Sequence, residues 1–192
     1  ANMSHEIRTP INAVLGMDEM ILRESNNPQI REYASDIKQA GSMLLSLIND
    51  ILDFSKIESG KMDIIPVDYD LGILLGDTID MIRSRAEEKK LQLELKIESN
   101  TPVHLHGDEV RLRQIITNIL TNAVKYTPEG KVTLTVSGKK VSEEAVQLYI
   151  SVKDTGIGIK EEDMGRLFDS FQRVDESRNR NIEGTGLGLS IT

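Results

Sequence analysis

Four clusters in the 192-residue chain combine residue types at spacings that could do chemistry. The first is Ser4-His5-Glu6-Ile7-Arg8-Thr9-Pro10. A neutral imidazole is nucleophilic near pH 7. Glu6 beside it can accept the proton of one ring nitrogen and leave the other free to attack. Thr9 follows four residues on, hence one turn away on the same helical face. Pro10 inside a helical pattern removes a backbone hydrogen bond and is expected to loosen or bend the helix. A structural or merely exposed histidine is the bland alternative, but it leaves the proline unexplained.

The second cluster is Gln114, Asn118, Asn122 and Lys125, whose steps of four, four and three keep them on about one helical face. Asn is a mediocre helix former, so two in mid-helix suggest work for the amides. Amide oxygens are hard ligands able to share a magnesium shell with phosphate oxygens, and Lys125 adds a cation. An ordinary amphipathic helix fits as well. The third cluster, Asp154-Thr155-Gly156-Ile157-Gly158-Ile159, puts a carboxylate at a strand end before two glycines that permit close backbone approach. A plain turn explains it equally. The fourth, Gly184-Thr185-Gly186-Leu187-Gly188-Leu189-Ser190, offers backbone N–H groups suited to phosphate. It lacks the Lys and Ser/Thr of a P-loop and the spacing of a dinucleotide fingerprint. The polar, arginine-bearing stretch from Gln172 to Glu183 reads as a loop able to close over an anionic ligand.

Elements must position these clusters. Apolar residues at threes and fours from Ser4 to about Glu24, and again from Ile30 to Ile57, predict two helices broken at Ser25-Asn26-Asn27-Pro28. Such a hairpin cannot cover both of its apolar faces, so it is expected to pair with another copy as a four-helix bundle. A helix is predicted from Leu71 to Lys90, a strand from Leu91 to Ile97 and a helix from Arg111 to Val124. Strands over Lys131–Ser137 and Val146–Lys153 flank a polar turn at Gly138 to Glu144. Helices and strands without regular alternation predict an α/β sandwich, with helices on one face of a mixed sheet. The fold class is therefore α+β, with a domain boundary near residues 58–64. His104 and His106 lack a third metal ligand and read as exposed turn residues.

Composition removes several function classes. The absence of Cys excludes disulfides, thiolate zinc sites and cysteine nucleophiles. No run approaches the roughly 18 apolar residues of a spanning helix. The net charge of −8, with 23 basic against 31 acidic residues, is a poor counter-charge for nucleic acid or anionic lipid. A soluble protein of a reducing compartment is expected.

In combination and in this order, the clusters resemble the sensor histidine kinases of two-component signalling. SHEIRTP resembles the phosphoacceptor box, NILTNAVKYT the asparagine box, DTGIGI and GTGLGL the glycine boxes, and Phe168 and Phe171 the phenylalanine box. The resemblance runs over essentially the whole chain. It implies a dimerisation and phosphotransfer domain over residues 1–60, then a catalytic ATP-binding domain of the gyrase/chaperone/histidine-kinase type over residues 61–192. His5 would be the phosphoacceptor and Glu6 its base, with Thr9 positioning a water that dephosphorylates the partner regulator. Asn118 would bind Mg²⁺, with Asn122 and Lys125 near the phosphates of ATP and Tyr126 flanking the nucleotide. Asp154 would accept from the adenine amino group in a pocket shaped by Gly156 and Gly158. Gly184, Gly186 and Gly188 would contact phosphates beneath a lid anchored by Phe168 and Phe171.

The resemblance further implies a homodimer, a response-regulator receiver domain as partner, and a cytoplasmic location that leaves open a membrane anchor elsewhere in the parent. A hinge near residues 57–66 would let the ATP domain swing to His5. The family's ATP domain normally continues past its last glycine box, so truncation at Thr192 is expected, as is a first helix that starts further upstream. Ser170 stands where the phenylalanine box often has proline. The segments around His5 and the lid look like those of hybrid kinases. The competing readings are a phosphatase-biased protein, a non-catalytic dimeric scaffold, and another ATPase of the same superfamily. The last would leave the histidine hairpin unexplained.

Overall fold

The computed structural model describes residues 2–167 and 186–192. Two compact units, Ala1–Met62 and Asp63–Ser190, divide the chain. The first is a hairpin of helices α1 (Asn2–Glu24) and α2 (Pro28–Glu58). Helix α1 runs through Pro10 without ending there. Asn27 caps α2, its side chain accepting from Gln29 N at 2.9 Å and Ile30 N at 3.4 Å, with Pro28 in the first turn, where its missing N–H is not needed. At the other end Gly60 takes φ +63°, Gly60 N donates to Ile57 O, and Lys61 N donates to Lys56 O. This pair of reversed bonds satisfies carbonyls that the helix itself leaves open. Leu15 packs directly on Gly41, where a β-carbon would stand 2.8 Å from Leu15 Cδ2.

The second unit begins with β1 (Val67–Asp70), α3 (Leu71–Glu88), β2 (Gln92–Ile97) and β3 (His104–Gly107). It continues with α4 (Glu109–Tyr126), β4 (Lys131–Lys140), β5 (Val146–Asp154) and the short helices α5 (Glu161–Met164) and α6 (Gly188–Ile191). A mixed sheet in the order β2-β4-β5 pairs β2 parallel and β5 antiparallel to β4. Its inward row alternates, as a half-buried sheet requires: Val132, Leu134 and Val136 are fully buried. Leu148, Ile150 and Val152 of β5 and Leu93 of β2 pack beside them. Helices α3 and α4 cover this face with Leu71, Leu74, Leu75, Ile79, Ile82, Ile116, Leu120 and Val124. The α+β class and the helices-on-a-mixed-sheet arrangement follow directly from these elements.

Three details differ from expectation. Strands β1 and β3 form a separate antiparallel ribbon that the sequence did not announce. It places His104 and His106 on a strand rather than in a turn. Strand β4 runs on through Gly138 to Lys140, opposite Val146, so the turn is shorter than the Gly138–Glu144 stretch suggested. No helix among the described residues is long and apolar enough to cross a membrane.

Candidate functional site

The C-terminal end of α4 is the centre of the candidate site. A helix leaves its last four carbonyls without intrahelical donors, and here each finds one from elsewhere. Thr127 Oγ1 donates to Ala123 O at 2.7 Å. Lys89 Nζ donates to Val124 O at 2.9 Å and Lys125 O at 2.7 Å. The amide of Ile157 donates to Tyr126 O at 3.2 Å. That last bond fastens the turn after β5 to the helix that carries the asparagines. The side chains of Lys125 and Tyr126 meet as well, with Nζ 4.9 Å from the ring centroid.

Asp154 ends β5, and its Oδ1 accepts from Gly156 N at 2.8 Å, which fixes the carboxylate and leaves Oδ2 for another donor. A β-carbon at Gly156 would stand 2.4 Å from Tyr126 O, so only glycine lets the turn lie on the helix end. Gly158 is glycine for another reason, its φ of +68°. Sequence reasoning passed over Thr155. Its Oγ1 accepts from Lys131 N at 3.0 Å and donates to Glu129 O at 3.2 Å, tying this turn to the one around Gly130.

Two turns before Tyr126, the half-buried Asn118 donates from Nδ2 to Gly188 O at 3.1 Å. This brings the second and fourth clusters together. The bond orients the amide, and its oxygen is a hard ligand suited to a divalent cation. Among the described residues no group of three or more His, Asp or Glu could hold a metal. A cation at Asn118 would therefore take its other ligands from phosphate oxygens and water, and the single protein oxygen fits that mode. Asn122 is half-buried one turn further along. Gly186 has φ +71° and precedes the buried Leu187. Gly184, Phe168 and Phe171 lie outside the described residues.

His5, Glu6 and Thr9 occupy the first two turns of α1 and so belong to the other unit. Glu6 and Thr9 are exposed, and Arg8 Nη2 donates across the hairpin to Asn49 Oδ1 at 3.0 Å. His106 Nδ1 lies 2.7 Å from Asp68 Oδ1, and His104 faces Asp70 at 3.9 Å. These are cross-strand pairs on the ribbon. At the start of α4, Asp108 caps the helix by accepting from Arg111 N and also holds Ile65 N, both at 3.0 Å. The amides of Ile65 and Arg111 keep its carboxyl below the ordinary aspartate range.

Residues 1–60 match the His Kinase A (phospho-acceptor) domain family, and residues 107–192 match the histidine kinase-, DNA gyrase B- and HSP90-like ATPases. The signal transduction histidine-protein kinase BarA of Escherichia coli is 41% identical over 192 residues, which is 100% of this chain and 21% of BarA. The chain belongs to the sensor histidine kinases of two-component signalling. The sensor protein GacS of Pseudomonas syringae is 44% identical over the same span, again 21% of its length. Full-length ShkA, crystallised in complex with AMPPNP, is similar with a TM-score of 0.77 at 34% identity, covering 100% of this kinase chain and 38% of ShkA. The kinase chain thus spans about a fifth of the length of BarA and of GacS, at 21% of each.

Proposed function

We propose that this chain binds ATP with Mg²⁺ in its second unit, phosphorylates His5 and passes the phosphoryl group to an aspartate on a response-regulator receiver domain. Residues 1–60 act as the dimerisation and phosphotransfer domain and residues 61–192 as the ATP-binding domain. The observation that carries this reading is the junction at the end of α4. There the Asn118–Gly188 bond and the Tyr126–Ile157 bond gather the asparagine helix, the Asp154 turn and a glycine box into one place.

Each part has a task. Asp154 Oδ2 accepts from the adenine amino group, and Gly156 and Gly158 shape the floor of that pocket. Tyr126 flanks the nucleotide. Asn122, Lys125, Gly186 and Gly188 lie towards the phosphates, and Asn118 Oδ1 would hold Mg²⁺. When bound, Mg²⁺ neutralises charge on the phosphate oxygens. One ring nitrogen of His5 attacks the terminal phosphorus. The phosphorus–nitrogen bond forms as the bond to the leaving ADP oxygen breaks, and Glu6 takes the proton from the other ring nitrogen. Thr9, one turn along, orients the water that hydrolyses the phosphorylated receiver. The segment around residues 57–66 is the hinge for delivery of ATP.

Exposed apolar side chains on α2 at Ile30, Tyr33, Ile37, Leu44 and Ile51, with Val14, Met17 and Ile21 on α1, support a homodimer. Their steps of three, four and seven make a seam that a second copy's hairpin covers. The acidic balance disfavours nucleic acid, and the reaction belongs in the cytoplasm, where ATP and receiver domains are found. The test is titration of ATP with and without Mg²⁺. Asn118→Ala is expected to lose the magnesium-dependent part of the affinity and keep the rest. Equal affinity to the wild type in the presence of Mg²⁺ would overturn the role of Asn118. Absence of ATP binding by the wild type would overturn the function.

A further inference from the structure

Lys89 belongs to none of the four clusters. It is the C-cap of α3, and the chain turns away after it because Lys90 takes the left-handed conformation at φ +57°. This turn leads straight into β2, whose first residue donates from Gln92 N to Gly130 O at 2.9 Å. The corner between α3 and β2 therefore sits against the corner between α4 and β4. From there the Lys89 ammonium reaches three carbonyls of the neighbouring chain end: Lys125 O at 2.7 Å, Val124 O at 2.9 Å and Thr127 O at 3.4 Å. An ammonium has three donors and no acceptor, so the fit of group to site is complete. It also sets a positive charge against the negative end of the α4 dipole.

We infer that Lys89 is a positioning residue of the nucleotide site. It holds the backbone of Val124, Lys125 and Thr127, so that Lys125 and Tyr126 present their side chains, and Tyr126 O its lone pair, in one fixed arrangement. The Asp154 turn hangs on that carbonyl through Ile157 N, and Gly156 lies so near it that a β-carbon there would stand 2.4 Å away. Removing the ammonium takes its donor from three carbonyls, those of Val124 and Thr127 part-buried and that of Lys125 exposed, and the last turn of α4 relaxes towards new donors. The turn bearing Asp154 relaxes with it. This inference rests on reading the α4 end and the Asp154 turn as the nucleotide site.

The experiment uses the whole chain as Lys89→Met, Lys89→Arg and the milder Lys89→Gln, with ATP–Mg²⁺ as the probe. Three quantities are read: ATP affinity, the rate of phosphoryl transfer to His5 at saturating ATP, and hydrogen exchange at the Ile157 amide. Lys89→Met is expected to weaken ATP and quicken Ile157 exchange by about tenfold each. The saturated rate should fall less than the affinity, since Lys89 acts on bound ATP only through the backbone of Lys125 and Tyr126. Lys89→Arg should recover most of both losses, and Lys89→Gln should fall between. A cap that merely stabilised the fold would lower the melting temperature while leaving affinity and Ile157 exchange unchanged in the folded protein, and that result would overturn the inference. Should Lys89→Met not fold, the same comparison is made on Lys89→Gln. Faster Ile157 exchange in a protein whose wild type binds no ATP would refute the nucleotide reading alone, and the positioning of the turn would stand.

Discussion

At Gly156 an added β-carbon would lie 2.4 Å from Tyr126 O and 2.8 Å from Asp154 Oδ1. Neither neighbour can yield cheaply, one being helix backbone and the other a carboxylate already bonded to the Gly156 amide. Gly156→Ala should therefore push the turn off the helix end, costing about 1–3 kcal/mol of stability as overpacking does. ATP affinity should fall with it, because the floor of the proposed adenine pocket moves. Thermal unfolding and ATP titration of the same variant check both effects, and a variant unchanged in both contradicts the packing. Sequence alone made the Asp-x-Gly-x-Gly pattern visible as a turn. It could not show why the first glycine is needed, since the obstacle is a carbonyl far away in the chain. Lys89 was invisible for the same reason: a lysine after a helix normally reads as a solvated end.

Along α1 the row turned inward is Ile7, Ile11, Leu15, Asp18 and Leu22, and Asp18 is only 2% exposed. Among the described residues neither of its carboxylate oxygens has a hydrogen-bond partner. A buried acceptor left unmade costs roughly 1–3 kcal/mol, whereas an apolar group of similar shape costs nothing comparable. Asp18→Leu should raise the melting temperature, and an unchanged or lower one would contradict the burial. Asp108, by contrast, has both carboxylate oxygens bonded, holding the amides of Ile65 and Arg111. Its folded-state pKa is depressed, so its stabilising contribution is present above the ordinary aspartate value of about 4 and is lost as pH falls below it. Asp108→Asn should flatten this acid limb of the pH–stability profile, and an unaltered limb would count against the two amide bonds as its cause. The long helices were legible because their periods run for many turns and their caps are written in Asn27-Pro28 and Gly60. The ribbon of β1 and β3 was not. Four residues are too few for alternation to register, and His-Leu-His-Gly carries little strand preference. Gly138-Lys139-Lys140 likewise read as a turn, although pairing with Val146–Leu148 keeps it in the sheet.

Across the whole chain the two units divide the proposed site residues, with His5 in one and Asn118 and Asp154 in the other. The order of the four clusters could be read without coordinates, since each is a local word of residue types. Their convergence could not, because the Asn118–Gly188 and Tyr126–Ile157 bonds span long stretches of chain. The central claim is that ATP bound at the end of α4 phosphorylates His5. It is tested most directly by incubating the chain and its His5→Gln variant with terminally labelled ATP and Mg²⁺. Acid-labile, base-stable label is expected on the wild type and none on His5→Gln, with ATP binding equal in both. Label persisting on His5→Gln, or no label on a wild type that binds ATP, would contradict it.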